Sequence, residues 1–351
     1  MRSTRLIKRA VCGPALIAAG ALAISLVLPH GTAWAEPPTY LMKISAPTLH
    51  DVPDTWAANF GAALEKDSGG RIKVQVYPAS QLGTIPRQIE GTQFGSIQME
   101  VVPPEFMVGL DPRFEVMAAP GLVDSQAHGQ RVAADPAVQK LMLGLGANKG
   151  LRGVALFMAE PSVIISRMPL RHLADFKGKK IRIFASPFQS VAFGRLGITP
   201  VAMSLGDVVP AIQQGAIDGA DLGISPVAHF HMYDAAKYVT DTGQPAIFII
   251  AVINRKWYDS LPKDLQQILD KDAAAQAGAI NSFAVEDTKK AAATFIAHGG
   301  ELIKLPQDEQ ASMMKTIASV GPEVSKENPK VATAYKIVAD AAARTRHAPS
   351  Q

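Results

Sequence analysis

An α/β fold of two βαβαβ units joined by crossovers is what this sequence predicts, and three observations carry that prediction. Between Asp175 and Leu222, three short apolar strands alternate with two helices, a spacing that calls for parallel pairing through right-handed crossovers. Residues 40–102 repeat the same plan. The chain has 351 residues, 48% of them apolar and 19% charged, which is a globular composition on a length that suits two cores rather than one.

Residues 1–35 read as a secretory signal. Arg2, Arg5, Lys8 and Arg9 precede an apolar run over 10–28, and Ala33-Trp34-Ala35 stands before Glu36 as a small-x-small cleavage site. Gly13, Pro14 and Gly20 interrupt the run, which argues for cleavage rather than an uncleaved anchor. The only cysteine, Cys12, lies before the run and not after it, against a lipid anchor; the mature chain then has no disulfide, thiol nucleophile or thiolate metal site. Those four basic residues account for the whole formal excess of +4, so the rest of the chain is balanced and a nucleic-acid or anionic-membrane partner has no electrostatic support.

Along the mature chain, 40–45 is a first strand. Asp51 and Pro53 open a helix to Lys66, with Trp56, Phe60 and Leu64 on one face, and Ser68-Gly69-Gly70 ends it. Residues 71–77 alternate as a second strand, 85–95 are a short helix, and 96–102 a third strand. His50 stands in the loop after the first strand and Pro103 to Phe106 in the corner after the third. Residues 112–122 are irregular and 125–145 helical. Two strands, 153–159 and 162–167, carry the chain to the second unit. There Lys180 to Phe184 is a buried strand, Pro187 starts a helix ended by Gly197, 199–203 is a strand, Ser204 and Asp207 make a capping-box-like start for a helix to Gly215, and 216–222 is the third strand. Residues 247–254 are a continuous apolar return strand, buried on both faces. Two or more such crossovers make a hinge rather than a flexible linker. From Pro262 to Ala297 there is no proline and Gly278 is the only glycine, which predicts a single helix of about 54 Å. A strand at 301–305 and helices at 307–319 and 330–345 close the chain, with a disordered tail at 346–351.

Arg182 is the odd residue. A guanidinium at the carboxyl end of a core strand is costly unless an anion meets it, and strand ends of open α/β sheets are where ligands dock. It is read either as a ligand clamp or as one arm of an internal salt bridge to Asp207 or Asp221. His229 and His231 are two apart, point away from each other on a helix and have no third ligand at suitable spacing, so no metal site is expected there. No G-x-S-x-G, H-E-x-x-H, Walker or G-x-G-x-x-G motif occurs. The chain is expected not to be an enzyme and to need no cofactor; the one acid–base pair that would argue otherwise is His50 with Asp221.

Three ungapped blocks, Asp-Phe-Lys-Gly-Lys-Lys-Ile-Arg (175–182), Leu-Gly-Ile-Thr-Pro-Val-Ala-Met (196–203) and Gln-Gln-Gly-Ala-Ile-Asp-Gly (213–219), resemble the core signature of the solute-binding proteins of TRAP transporters, the DctP-like family. Gly69 to Val74 with Tyr77 to Gly83 resembles its first block. The resemblance covers nearly all of the mature chain. It implies the periplasmic binding protein fold, with a long helix across both lobes: lobe I at 36–159 and 248–287, lobe II at 160–247 and 288–345. It implies a periplasmic receptor that closes on a small carboxylate and delivers it to the membrane subunits of a TRAP transporter, with Arg182 gripping the acid. A sensory protein presenting its ligand to a kinase or chemoreceptor has the same sequence features, and a periplasmic lyase or hydrolase on this scaffold is the third reading. A monomer is expected.

Departures from the family pattern bear on the ligand. Sugar-acid binders of the family often carry a second arginine where Ser162 stands, an asparagine at Leu222, and Glu and Arg in the corner that here holds Pro103 and Phe106. Phe184 and Leu205 add apolar surface near Arg182. One charged clamp with apolar walls suits a monocarboxylate with an apolar or aromatic body rather than a sialic or hexuronic acid. In another branch of the family a Glu at the position of Asp221 helps hold a cation; here a structural ion pair is the alternative. The expected ligand-binding set is Arg182, Phe184, Ser162, His50, Pro103, Phe106, Leu205, Asp221 and Leu222.

Overall fold

The structure, a computed structural model, describes residues 38–184, 186–244 and 246–347. The secretory signal and residues 348–351 of the tail lie outside the described residues. Among the described residues no helix is long and apolar enough to cross a membrane.

Ten strands are present among the described residues: β1 (Tyr40–Ser45), β2 (Ile72–Tyr77), β3 (Met99–Val102), β4 (Leu151–Ser166), β5 (Lys180–Ile183), β6 (Thr199–Ala202), β7 (Gly219–Gly223), β8 (Tyr238–Asp241), β9 (Ala246–Asn254) and β10 (Glu301–Lys304). They follow the order β2-β1-β3-β9-β4-β7-β5-β6, with β8 joined to β4 and β10 to β8. β1 runs parallel to β2 and β3, and β5 runs parallel to β6 and β7, so each half is the parallel unit its sequence predicts. β9 is antiparallel to β3 and β4 and is buried along its whole length.

The chain passes between the halves three times. β4 does so first. The sequence predicts two strands here, with a break around Pro161; the structure has one strand of 16 residues. Pro161 faces Ala246 in the last pair with β9, and from Ser162 onward β4 pairs with β7 and β8 instead. A residue with no N–H is tolerated where the ladder changes partner. β9 returns. The helix Lys263–Ala297 then crosses again over 35 residues. Its Leu265, Leu269, Ala273, Ile280 and Ala284 pack in one core with Trp56, Phe60 and Phe157, while Ala291 and Phe295 pack in another with Ile212, Val227 and Tyr233. Trp56 stacks on Phe60 at 5.0 Å and on Phe157 at 5.3 Å.

Other differences are local. The helix expected over 125–145 is two, Gln126–Ala134 and Pro136–Gly144. Asp135 caps the second, its Oδ1 accepting from Ala137 N at 2.9 Å, and Pro136 cannot continue the first. Ser204 makes no side-chain cap; a 3₁₀ turn at Leu205–Asp207 leads into the helix Val208–Gln214. The stretch expected to be irregular holds a largely buried 3₁₀ helix, Pro112–Ala118. Arg346 pairs with Asp124 at 2.7 Å.

Two glycines of the third signature block have separate jobs. Gly215 closes its helix at φ +74, a conformation side chains rarely adopt. Gly219 lies so close to β4 that a Cβ would stand 2.3 Å from the carbonyl oxygen of Ile165. Gly278, inside the long helix, would meet nothing within 4 Å. Gly219→Ala is therefore expected to destabilise the protein by about 1–3 kcal/mol through overpacking, and Gly278→Ala to stabilise it by up to about 1 kcal/mol through helix propensity. Urea unfolding of the two variants checks the opposite signs.

Candidate functional site

Arg182 occupies the third position of β5, between Ile181 and Ile183, which point into the core. Strand alternation turns the guanidinium to the other face, at the carboxyl end of the parallel strands. There it is 1% exposed. Main chain from both neighbouring strands holds it: Nε donates to Met203 O, just past β6, at 3.1 Å, and Nη1 donates to Asp221 O, on β7, at 2.9 Å. Its central carbon lies 4.6 Å from the centroid of Phe184 and 6.0 Å from that of Phe106, within cation–π range. The two rings meet edge to face at 5.7 Å. Nη2 has no protein hydrogen bond among the described residues.

The internal salt bridge does not form. Asp207 is exposed, and the Asp221 carboxylate turns away: Oδ1 accepts from Ser162 Oγ at 2.7 Å and Oδ2 from Gln189 Nε2 at 3.1 Å. Burial raises Asp221 to about 7, while the Ser162 hydrogen bond, the Arg182 charge and Gln189 act the other way. Burial lowers Arg182 to about 10, which leaves it charged at neutral pH.

Arg182 opens on a cavity of about 50 Å³. Phe184, Pro103, Phe106, Leu205 and Leu222 line it with Arg182, so six of the nine expected residues come together there. Three do not line it. Ser162 is fully buried as the partner of Asp221. Asp221 offers the cavity's arginine its carbonyl and keeps its side chain behind the wall. His50 is exposed at φ 59, with its ring 6.1 Å from that of His229, so the acid–base pair of His50 with Asp221 is not assembled. His229 Nε2 donates to Asp287 Oδ1 at 3.1 Å, and His231 stacks on Tyr233. Among the described residues no group of three His, Cys, Asp or Glu is spaced to hold a metal ion.

The cavity also has two acidic residues that the sequence reading did not place there, Asp51 and Glu160. Asp51 caps the helix Val52–Asp67, and Glu160 stands on β4 opposite Ile247. Burial raises Asp51 to about 7 and Glu160 to about 8. Glu100, within the third strand, and Glu105, just past it, are also raised to about 8 by burial. A charged residue inside the apolar run 153–166 is the same signal that singles out Arg182, and it would have found Glu160.

These carboxyls fix how stability responds to pH. A carboxyl raised in the fold binds its proton more tightly than in the unfolded chain, so stability falls as pH climbs from the unfolded value through the folded one. The carboxyls held low by partners, such as Asp111, Asp135 and Glu309, act only in more acidic solution. His229, raised by Asp287, adds to the same trend, since its contribution fades as pH rises. The urea midpoint is expected to drop between about pH 5 and pH 8; a flat or rising profile would mean that the buried carboxyls fold in their ionised form.

Comparison with known proteins agrees with the geometry. The model of bacterial extracellular solute-binding protein family 7, DctP, matches residues 48–328. The C4-dicarboxylate-binding periplasmic protein DctP of Rhodobacter capsulatus is 29% identical over 317 residues, 89% of this chain and 92% of that one. The 2,3-diketo-L-gulonate-binding periplasmic protein YiaO of Escherichia coli is 28% identical over 67% of this chain and 71% of its own. A TRAP periplasmic solute binding protein of Desulfovibrio salexigens with bound orotic acid superimposes with a TM-score of 0.83 at 20% identity, over 88% of this chain and 100% of the other. One from Shewanella oneidensis with bound succinate gives 0.80 at 20% identity, over 87% and 99%. With the family model spanning both halves of the sheet and the signature blocks building the arginine site, this chain belongs to the DctP family of bacterial extracellular solute-binding proteins.

Proposed function

We propose that this chain is a periplasmic receptor that captures a carboxylate with an apolar or aromatic body and hands it to the membrane subunits of a TRAP transporter. One observation carries the reading: a buried, charged Arg182 with main-chain carbonyls on two of its nitrogens, aromatic rings beside it, and Nη2 left for a ligand. A guanidinium so held presents donors to a carboxylate in fixed geometry. Relatives named for C4-dicarboxylate and diketo-gulonate, and solved neighbours holding orotic acid, succinate and galacturonate, take organic acids. The apolar body is supported by the walls, where Phe106, Phe184, Leu205, Leu222, Ile247 and Ile249 face the same space.

Closure follows from the electrostatics. Opened to water, the guanidinium is solvated; closed without an anion, it is a buried charge that no carboxylate bonds directly, with only the turned-away Asp221 side chain acting on it from behind. An acid binds the closed form better and so draws the equilibrium toward it. The cavity, at about 50 Å³, is smaller than the roughly 150 Å³ that accommodates benzene. Entry therefore requires the walls to part. The lobe division at 36–159 with 248–287 against 160–247 with 288–345 is part of the proposal, supported by the three passages between the halves. Ligand contacts from Ser162, Asp221 and His50 are not part of it.

Mass spectrometry of ligand retained by native protein, followed by calorimetry with benzoates, 2-oxo acids and hexuronates, tests the reading. Arg182→Ala is expected to weaken acid binding by about ten- to a hundredfold, the worth of a hydrogen bond to a charged group. Unchanged affinity would remove Arg182 from the site, and tighter binding of a hexuronate than of a benzoate would refute the apolar body.

A further inference from the structure

The cavity wall is polar in two places, not one. Away from Arg182, Asp51 and Glu160 face the same space. Asp51 is 3% exposed and Glu160 4%. Each has one oxygen anchored by the protein. Asp51 Oδ1 accepts from Thr48 Oγ1 at 2.8 Å and Asp54 N at 3.5 Å; Glu160 Oε2 accepts from Ser225 N and Oγ, both at 3.2 Å. The other oxygens, Asp51 Oδ2 and Glu160 Oε1, have no protein partner among the described residues. Nor does any lysine or arginine among the described residues pair with either acid. Their charged neighbours are Asp287 and His229, which bond each other, with Asp54 beyond.

The backbone makes room for Glu160. A Cβ on Gly223 would lie 1.9 Å from Glu160 Oε1, so only glycine at that cavity position allows the carboxyl to stand where it does. Gly223 is also the last residue of the strand whose Asp221 carbonyl holds Arg182. One short strand therefore seats both polar groups of the wall. A buried carboxyl with an unused oxygen is costly in an apolar cavity unless a donor arrives.

We propose that Asp51 and Glu160 form a second recognition point for a cationic nitrogen, so that the preferred ligand is an apolar-bodied acid bearing an ammonium or amidinium group away from its carboxylate. The inference rests on the carboxylate reading of Arg182 and deepens it. Arg182 takes the anion, the rings and aliphatic walls take the body, and the unused oxygens of Asp51 and Glu160 accept from the nitrogen. Both carboxyls are raised by burial, so an arriving cation lowers them again and releases a proton at neutral pH.

Calorimetry with matched acids differing only in ammonium for methyl tests this: 4-aminobutyrate against pentanoate, 6-aminohexanoate against heptanoate, and 4-(aminomethyl)benzoate against 4-ethylbenzoate. At least one ammonium acid is expected to bind about tenfold or more tighter than its methyl partner. Its binding is expected to release a proton, read as a dependence of the heat on buffer ionisation. Glu160→Gln is expected to collapse that ratio and the proton release. The wild-type ratio needs no variant to fold. If the methyl acids bind as well as or better than the ammonium acids while still depending on Arg182, this inference fails and the carboxylate reading stands. If no acid of the set loses affinity in Arg182→Ala, the carboxylate reading fails and takes this inference with it.

Discussion

The structure turns on a guanidinium held out of water by main-chain carbonyls. β5 lies between β6 and β7, and each neighbour sends one carbonyl to Arg182: Met203 from beyond β6, Asp221 from within β7. That arrangement needs parallel strands in this register, with Arg182 opposite Val201 on one side and Ala220 on the other. It also needs β7 packed tightly on β4, which Gly219 permits. The signature blocks around residues 175–219 are thus the parts of one clamp. The carbonyls satisfy hydrogen bonds without cancelling charge, and so the cation survives burial as a cation.

Geometry at the sheet ends explains why the clamp has a cavity to face. The parallel strands of both halves end at the same place, where Pro103 and Phe106 from one half meet Phe184 and Leu222 from the other. Strand carboxyl ends are where open α/β sheets collect ligand-facing groups, because loops leave there without competing ladder bonds. β4 is what sets two such ends against each other. It serves the first half up to Pro161 and the second from Ser162, and Glu160 sits at that change of partner. The long helix spans the same junction on the outside, with its early residues in one core and Phe295 in another.

Much of this was legible in the sequence, and the misses have physical causes. Strands with strict alternation, helices with a four-residue apolar stripe and the proline-free run of the long helix report their own conformation locally. Arg182 was legible because a cation in an apolar alternation needs an anionic partner, whether a ligand or an acid of the chain itself. Glu160 carries the same kind of signal but stands between the two strands expected over 153–159 and 162–167, a gap that the single strand β4 closes. Asp51 was legible only as a helix cap, and the cap is real; that its second oxygen faces the cavity depends on a strand distant in sequence. The family resemblance puts Ser162 and Asp221 in the site. Their side chains bond each other instead, which register could reveal and spacing could not.

A cavity with one polar group and a cavity with two opposed ones select ligands differently. With Arg182 alone, any small anion that fits relieves the cost of closing, and discrimination falls to the shape of the apolar walls, where a methylene is worth little. Adding carboxyls with unused oxygens makes the same anions leave a second cost standing, because burying an unsatisfied acid is itself unfavourable. Under the two-point proposal, only a ligand that answers both ends fills the cleft without a residual penalty. On that proposal the buried acids Asp51 and Glu160 are then not a defect of packing but the means by which a small, mostly apolar cleft rejects acids that lack the matching nitrogen.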